Sequence, residues 1–304
     1  MNNSSFYGHG KLLLTGEYAV LDGAKALGFP CKFGQRLDVR ASQKPYFEWT
    51  SYLDSGEVWQ ALQFSKEDIV NATEKDGFKN RLLSILHSVY YEKPEVFAEP
   101  LQFSTHLEFN KNWGLGSSST LIYNLASWAS IDPYALLEKT FGGSGYDIAA
   151  AKADSAFLFQ KEGDLNKTEK VVFPELLKPF IYFVYLNQKQ NSREGIKHYR
   201  GVTVANKTEA IIEISGITEQ VLAVRNLEDF ENLMAQHERL IASLTEQVPI
   251  QMLKFPDYEN GIVKSLGAWG GDFILVTARK KSELDYFRTR NYTTIFNYSD
   301  LILG

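Results

Sequence analysis

Residues Leu101 to Phe109 alternate strictly, with Leu101, Phe103, Thr105, Leu107 and Phe109 interleaved by Gln102, Ser104, His106 and Glu108. A period of two marks a half-buried strand, because successive strand side chains point to opposite faces. Shortly beyond, Gly114-Leu115-Gly116-Ser117-Ser118-Ser119 breaks the pattern, and Leu121, Ile122, Leu125, Ala126 and Ala129 then recur at helical spacing. Strand, glycine turn and helix follow in that order. Glycine reaches positive φ without steric cost and lets a ligand approach the backbone. The free N–H groups and dipole of the following helix favour an anion, and a serine hydroxyl can ligand Mg2+, so a nucleotide polyphosphate is the natural guest. The same residues also suit a tight serine-capped turn that binds nothing. The Gly-Lys-Ser/Thr ending of a Walker A loop is missing, as is the third glycine of a dinucleotide fingerprint.

The 304 residues, 44% hydrophobic and 23% charged, make a compact protein of one large domain or two ordinary ones and exclude disordered, collagen-like and coiled-coil chains. A net charge of −5 argues against a general binder of nucleic acid or anionic membrane, while leaving room for a local basic pocket. The single cysteine, Cys31, cannot form an internal disulfide or a multi-thiolate zinc site and reads as a small buried hydrophobe. No apolar run approaches the ~18 residues that span a bilayer. The longest, Pro179 to Leu186, reads as a buried strand. The opening MNNSSFYGHGK has no basic segment followed by an apolar one, so a cytoplasmic protein is expected.

Elsewhere, Lys11 to Leu21 is apolar and broken by Thr15-Gly16-Glu17, which suits a strand leaving its sheet at a glycine turn. Cys31 to Phe64 reads as two or three strands and Asn80 to Tyr91 as an amphipathic helix. Asp132-Pro133 supplies a cap and first-turn proline for a short helix. The turn Gly142-Gly143-Ser144-Gly145-Tyr146 leads to Asp147, which either enters a cleft as a carboxylate or caps the alanine-rich helix that follows. Lys11, beside a glycine on a strand, either meets phosphate or is a solvated surface residue. After the run Phe180 to Leu186 helices dominate; one from Asn226 to Leu244, capped by Asn226, places Phe230, Leu233, Met234, Leu240 and Ile241 on one face. A last glycine turn, Gly267 to Gly271, precedes a strand at Phe273–Thr277, a helix near Ser282–Arg288 and a strand near Thr293–Asn297. The change of pattern divides the chain into residues 1–187 and 188–304. The five histidines show no ligand spacing, with His237 expected in or beside the core, and no Gly-x-Ser-x-Gly nucleophile elbow occurs.

Taken together, GKLLLTGEYAVLDG from Gly10, GLGSSST from Gly114, GGSGYD from Gly142 and LGAWGGD from Leu266 resemble the GHMP kinases, the family of galactokinase, homoserine kinase, mevalonate kinase and phosphomevalonate kinase. The resemblance implies a two-domain α+β fold: an amino-terminal β-α-β domain with a left-handed crossover, a ferredoxin-like carboxy-terminal domain, and ATP bound between them in a syn conformation. On this resemblance Lys11 and Asp147 are the catalytic residues, lysine near the reacting hydroxyl and phosphate and aspartate as base. Gly114, Leu115, Gly116, Ser117, Ser118 and Ser119 form the phosphate loop, with the Ser118 hydroxyl approaching Mg2+. Glu17, Ser192, Arg193, Gly270 and Gly271 fall at substrate positions, and Asn191-Ser192-Arg193-Glu194 is similar to a Ser-Thr-Lys/Arg-Glu stretch of mevalonate and phosphomevalonate kinases.

Three departures stand out. Trp269 replaces a usual glycine, making the third loop less open or lending it an aromatic wall; Ser119-Thr120 replaces a common alanine pair; and the second Mg2+ ligand, a glutamate, has only Glu138 as its nearest match. The motif details favour an isoprenoid precursor as acceptor, mevalonate or phosphomevalonate, with Arg193, Lys197 and Arg200 as cations for a phosphorylated one. The expectation is an ATP- and Mg2+-dependent kinase of a small molecule, monomer or homodimer, with no nucleic-acid or membrane partner. A diphosphomevalonate decarboxylase, a sugar or homoserine kinase, and a catalytically silent nucleotide-binding protein are the alternatives.

Overall fold

Two long strands, β1 (Ser4–Thr15) and β2 (Ala26–Ala41), flank the first glycine turn and a single 3-10 turn at Ala19–Asp22. The computed structural model describes residues 3–73, 77–190, 192–203 and 206–304; Asn191 and the Ser192 side chain, singled out above, lie outside the described residues. The chain forms two compact units, one of Met1–Gly10, Phe33–Lys111 and Leu115–Lys152, the other of Lys11–Lys32, Asn112–Gly114 and Ala153–Gly304.

In the first unit the later part of β2 pairs antiparallel with β5 (Leu101–Leu107), from Gln35 opposite Leu107 to Ala41 opposite Leu101. β5 runs parallel to β3 (Phe47–Tyr52), which forms a hairpin with β4 (Val58–Phe64), so the segment from Cys31 to Phe64 resolves into three strands. Helices α1 (Lys66–Val70), α2 (Phe78–Glu92), α3 (Ser117–Ala129), α4 (Pro133–Thr140) and α5 (Tyr146–Lys152) complete the unit. The period-two strand and the helical stripes meet in one core, where Trp49, Phe103, Leu86, Leu125 and Ile148 pack together. Asp132 caps α4 as expected, its Oδ1 accepting from the Tyr134 N–H at 3.0 Å.

In the second unit Ala26–Gly28 of β2 pairs with β6 (Phe157–Glu162), which turns at Gly163 into β7 (Leu165–Lys170). The sequence reading overlooked this hairpin, because β7 is nearly all exposed polar side chains and shows no apolar alternation. The chain continues through β8 (Ile181–Tyr185), α6 (Ser192–Gly201), α7 (Lys207–Val221), α8 (Leu227–Thr245), α9 (Ile250–Lys254), β9 (Val263–Ser265), β10 (Phe273–Thr277), α10 (Asp285–Arg288), β11 (Ile295–Asn297) and α11 (Tyr298–Leu301). The order β11-β8-β10-β9, antiparallel throughout, is the fourth-first-third-second order of a β-α-β-β-α-β ferredoxin-like unit. Every residue of β8 is buried, in keeping with its unbroken apolar run. Asn226 caps α8 by accepting from the Asp229 N–H at 2.8 Å.

Trp269 closes a separate cluster with Tyr18, Tyr199, Ile214, Ile241 and Leu244. It is 1% exposed, at φ 49° where a bulky residue is strained, and its Nε1 has no partner. Trp269 is therefore a core plug and not an aromatic wall. Trp269→Ala is expected to lower unfolding free energy by about 3–5 kcal/mol in urea titration, while Trp269→Phe costs less, because it keeps an aromatic ring in place and loses no hydrogen bond.

Candidate functional site

The first glycine turn belongs to the second unit and is pinned from within it. A Cβ at Gly16, φ 87°, would lie 2.8 Å from the Ala26 Cβ, so only glycine fits. The Gly16 N–H donates to His237 Nε2 at 2.8 Å, which leaves the imidazole proton on Nδ1. Burial, then the charge of Lys264, holds His237 neutral by pushing its pKa well down. Glu17 is completely buried and accepts from Lys264 Nζ, which also donates to the Ser265 carbonyl at 2.8 Å and lies 3.9 Å from Glu238 Oε2. Burial raises the Glu17 pKa to about 7 against the pull of Lys264. Burial also raises Glu238. One ammonium thus faces two carboxylates and a neutral imidazole.

The third glycine turn lies against the exit of β8. Asp272, at φ 54°, donates its N–H to the Gln188 carbonyl at 2.6 Å and accepts from the Gln190 N–H at 3.1 Å. A Cβ on Gly271 would sit 2.9 Å from the Gln188 carbonyl, and one on Gly114 would sit 2.2 Å from the Asp272 carboxylate. Burial raises the Asp272 pKa, opposed by the Gln190 N–H and then by the charges of Lys11 and Lys189. The second unit therefore gathers Lys11, Gly114, Gly271 and Asp272 in one neighbourhood, with Gly270 at φ 83° beside them.

In the first unit Leu115 is buried and Gly116, φ 88°, precedes α3 without any side chain capping the helix. Ser119 turns inward and donates to the Gly116 carbonyl at 2.8 Å, while Thr120 donates to Gln35 Oε1 at 2.9 Å. Ser117 is half-buried and Ser118 exposed, so these two serines of the loop, unlike Ser119, keep contact with solvent. Gly142, Gly143 and Gly145 all have positive φ, and Ser144 Oγ accepts from the Tyr146 N–H at 3.2 Å. The capping role in α5 thus falls to Ser144, and Asp147 stands half-buried within the first turn. α5 packs on α3, and α4, which carries the exposed Glu138, packs on both. Among the described residues no group of three or more His, Cys, Asp or Glu side chains is placed to hold a metal.

On α6, Gly195 abuts the Tyr18 hydroxyl and Tyr199 stacks on the Tyr18 ring at 5.6 Å. Arg193, Lys197 and Arg200, spaced four and three apart, share the exposed face of the same helix. Cys31 is fully buried and its thiol pKa is raised by burial, as a core residue requires.

Neither a protein-family model nor a curated protein sequence matches the chain. Solved structures do. Mevalonate kinase of Methanococcus jannaschii superposes with a TM-score of 0.72 at 18% identity, covering 100% of this chain and 99% of that one. Phosphomevalonate kinase of Streptococcus pneumoniae, in complex with phosphomevalonate and AMPPNP, gives 0.69 at 15% identity over 97% and 99%. Galactokinase of Lactococcus lactis, complexed with galactose, gives 0.69 at 13% identity over 100% and 94%. The chain has the two-domain α+β GHMP kinase fold. No helix among the described residues is long and apolar enough to cross a membrane.

Within this GHMP kinase fold the sequence reading overlooked Lys264 and His237 as supports of the first turn and gave Asp272, though quoted in the fourth motif, no role of its own. Asp272 carried a signal, since Gly270-Gly271-Asp272 closes the fourth motif. Lys264 and His237 carried none, because only folding brings them to Glu17. The Glu17 shift sets a pH dependence. Its native pKa lies above its ordinary 4.5, so between about pH 4.5 and 7 the folded state holds a proton that the unfolded chain has lost, and stability falls as pH rises through that window. His237, held neutral, acts with the opposite sign, so the measurement is the difference between wild type and Glu17→Gln. Urea unfolding is expected to show the stability of wild type relative to Glu17→Gln falling by about 3 kcal/mol from acid to neutral pH and levelling above about pH 7. A flat difference would show that Glu17 does not titrate there.

Proposed function

We propose that this chain is an ATP- and Mg2+-dependent kinase transferring a phosphoryl group to an isoprenoid precursor, mevalonate or phosphomevalonate. The observation that carries the reading is the uncapped start of α3 at Gly116, with Ser117 half-buried and Ser118 exposed, on a fold shared with a phosphomevalonate kinase in complex with phosphomevalonate and AMPPNP. Unsatisfied first-turn N–H groups and a helix dipole are what a polyphosphate needs, and the Gly114 and Gly116 conformations leave the backbone bare. The donor set therefore fits the nucleotide. ATP, when bound, supplies the phosphoryl group, and Mg2+ offsets its charge.

The chain's own residues take the remaining roles. The α3 amides and the Ser117 and Ser118 hydroxyls bind phosphate oxygens; Ser118 and Glu138 are the proposed side-chain partners of Mg2+, with most of its ligands left to phosphate and water. Ser119 secures the loop through the Gly116 carbonyl. Asp147 accepts the proton of the acceptor hydroxyl at its carboxylate, and Lys11 stabilises charge that builds on the transferring oxygens. Glu17 holds the first turn by way of Lys264. Ser192, Arg193, Gly270 and Gly271 are assigned to the acceptor, with Arg193 joined by Lys197 and Arg200 on one helix face. We place the nucleotide-binding part in residues 1–187 and the acceptor-closing part in 188–304. The galactokinase likeness supports one second reading, a sugar kinase.

Asp147→Asn is expected to lower turnover by about 10²- to 10⁴-fold while keeping nucleotide-dependent thermal stabilisation, because the carboxylate serves the acceptor. Near wild-type turnover would make Asp147 a structural residue only. ADP release measured with mevalonate, phosphomevalonate, galactose and homoserine at matched concentrations tests the acceptor. Turnover with an isoprenoid precursor is the expected result, and galactose or homoserine alone would replace it with the sugar or homoserine reading. Release of CO₂ with phosphate would indicate a decarboxylase, and nucleotide binding without turnover of any acceptor a silent protein.

A further inference from the structure

β4 ends the strand order of the first unit: among the described residues it pairs with β3 on one side and with no strand on the other. A free strand edge presents unpaired N–H and C=O groups to any chain that can lie alongside, and folded proteins blunt it with charge, proline, shortness or cover. The other strands that end a sheet order carry such guards. β7 holds Lys167, Glu169 and Lys170, β11 has three residues, and β9 is buried throughout. β4, Val-Trp-Gln-Ala-Leu-Gln-Phe, holds neither a charge nor a proline. Its one irregularity is a bulge at Trp59, whose ring meets Phe78 at 4.9 Å between centroids, and the bulge leaves Gln60–Phe64 as a regular run.

The apolar surface around that edge has a matching layout. Among the described residues the first unit exposes four large apolar side chains, Val58, Trp59, Val70 and Tyr91. Val58 and Trp59 open β4. Val70 ends α1, which follows β4 directly, and Tyr91 lies in the last turn of α2, joined to α1 where His87 Nδ1 meets the Ile69 carbonyl at 3.0 Å. Apolar surface therefore lies at both ends of one uncharged strand. A two-fold axis perpendicular to the sheet sets such an edge against its own copy, antiparallel, so that the opening end of each strand meets the closing end of the other. Val58 and Trp59 then approach the end that carries Val70 and Tyr91. Glu57, the charge before the strand, approaches Lys66, the first charge after it, while Asp68 is held by the Ser65 cap. This match of like to like favours a second copy over a foreign strand.

We propose that β4 is a self-association surface, at which two copies of this chain join their sheets edge to edge, antiparallel over Gln60–Phe64, with the exposed apolar side chains covering both ends.

Sedimentation velocity on the full chain from about 1 to 100 µM is expected to show a species of twice the 34.5 kDa chain mass, with a Kd on the order of 10 µM, as a small edge interface gives. Amide hydrogen exchange is expected to slow at Gln60–Phe64 across the same range. Ala61→Lys combined with Gln63→Lys, both at exposed positions, gives β4 the charge that β7 has and is expected to weaken the dimer about tenfold. Val58→Glu provides a second variant with the same expectation, and Met252→Glu, at an exposed apolar position of the second unit, is expected to leave the dimer unchanged, each checked for a cooperative melt. A monomer throughout the range, exchange at β4 that ignores concentration, a dimer undiminished in the folded β4 variants, or one dispersed by Met252→Glu would each overturn the proposal.

Discussion

The pairing of Glu17 with Lys264 is the interaction on which the geometry of the second unit turns. Both side chains are almost wholly out of water, and desolvating two charges costs several kcal/mol unless each finds partners. Lys264 finds Glu17 and the Ser265 carbonyl; Glu17 leaves one oxygen unpartnered, 3.4 Å from His237 Nε2. That imidazole nitrogen is already the acceptor for the Gly16 N–H. The backbone of the first glycine turn is thus fixed by hydrogen bonding at residue 16 and by an ion pair at residue 17. Removing the Lys264 ammonium alone would strand the Glu17 and Glu238 carboxylates in the core, a loss of about 3–5 kcal/mol. Such a network specifies one arrangement of the turn more firmly than apolar packing of equal volume would, since few alternative packings satisfy it.

The third glycine turn is held by a different balance. Trp269 and Asp272 both lie at positive φ, and a non-glycine residue there costs on the order of 1–3 kcal/mol. At Trp269 the offset is burial of a large aromatic side chain among Tyr18, Tyr199 and Ile241. At Asp272 it is three backbone hydrogen bonds, two through its own N–H and carbonyl and one from the Gln190 N–H to its carboxylate. The conformation then presses the carboxylate onto Gly114, which has no side chain to obstruct it.

Those two mechanisms explain what could be read from the sequence and what could not. Strand β5, helices α2, α3 and α8, and the caps Asp132 and Asn226 were legible because periodicity and capping are local properties, written within a dozen or so residues. The β6–β7 hairpin was not, since an exposed edge strand of Leu-Asn-Lys-Thr-Glu-Lys needs no apolar alternation. The glycine turns were legible as turns, and their motif order pointed to the fold now seen. Their supports were not. Trp269 looked like a loop substitution and is a core residue; His237 looked like a core residue and is one, with its hydrogen bond to Gly16 hidden by a sequence separation of 221 residues.

The described residues carry positive potential of two kinds. At the start of α3 the sources are backbone amides, fixed in place by Gly116 and the inward bond of Ser119, and they carry partial charge without a mobile side chain. Around Lys11 the sources are full charges, but Asp272 already draws on Lys11 and Lys189, so neither lysine offers its whole charge to a guest. Burial of Asp272 works against its own ionisation, and an incoming anion that competes for Lys11 would raise that carboxyl further toward its protonated form. On the proposed function, an anion bound beside Lys11 would be coupled to proton uptake at Asp272, whereas one held by the amides of α3 would not.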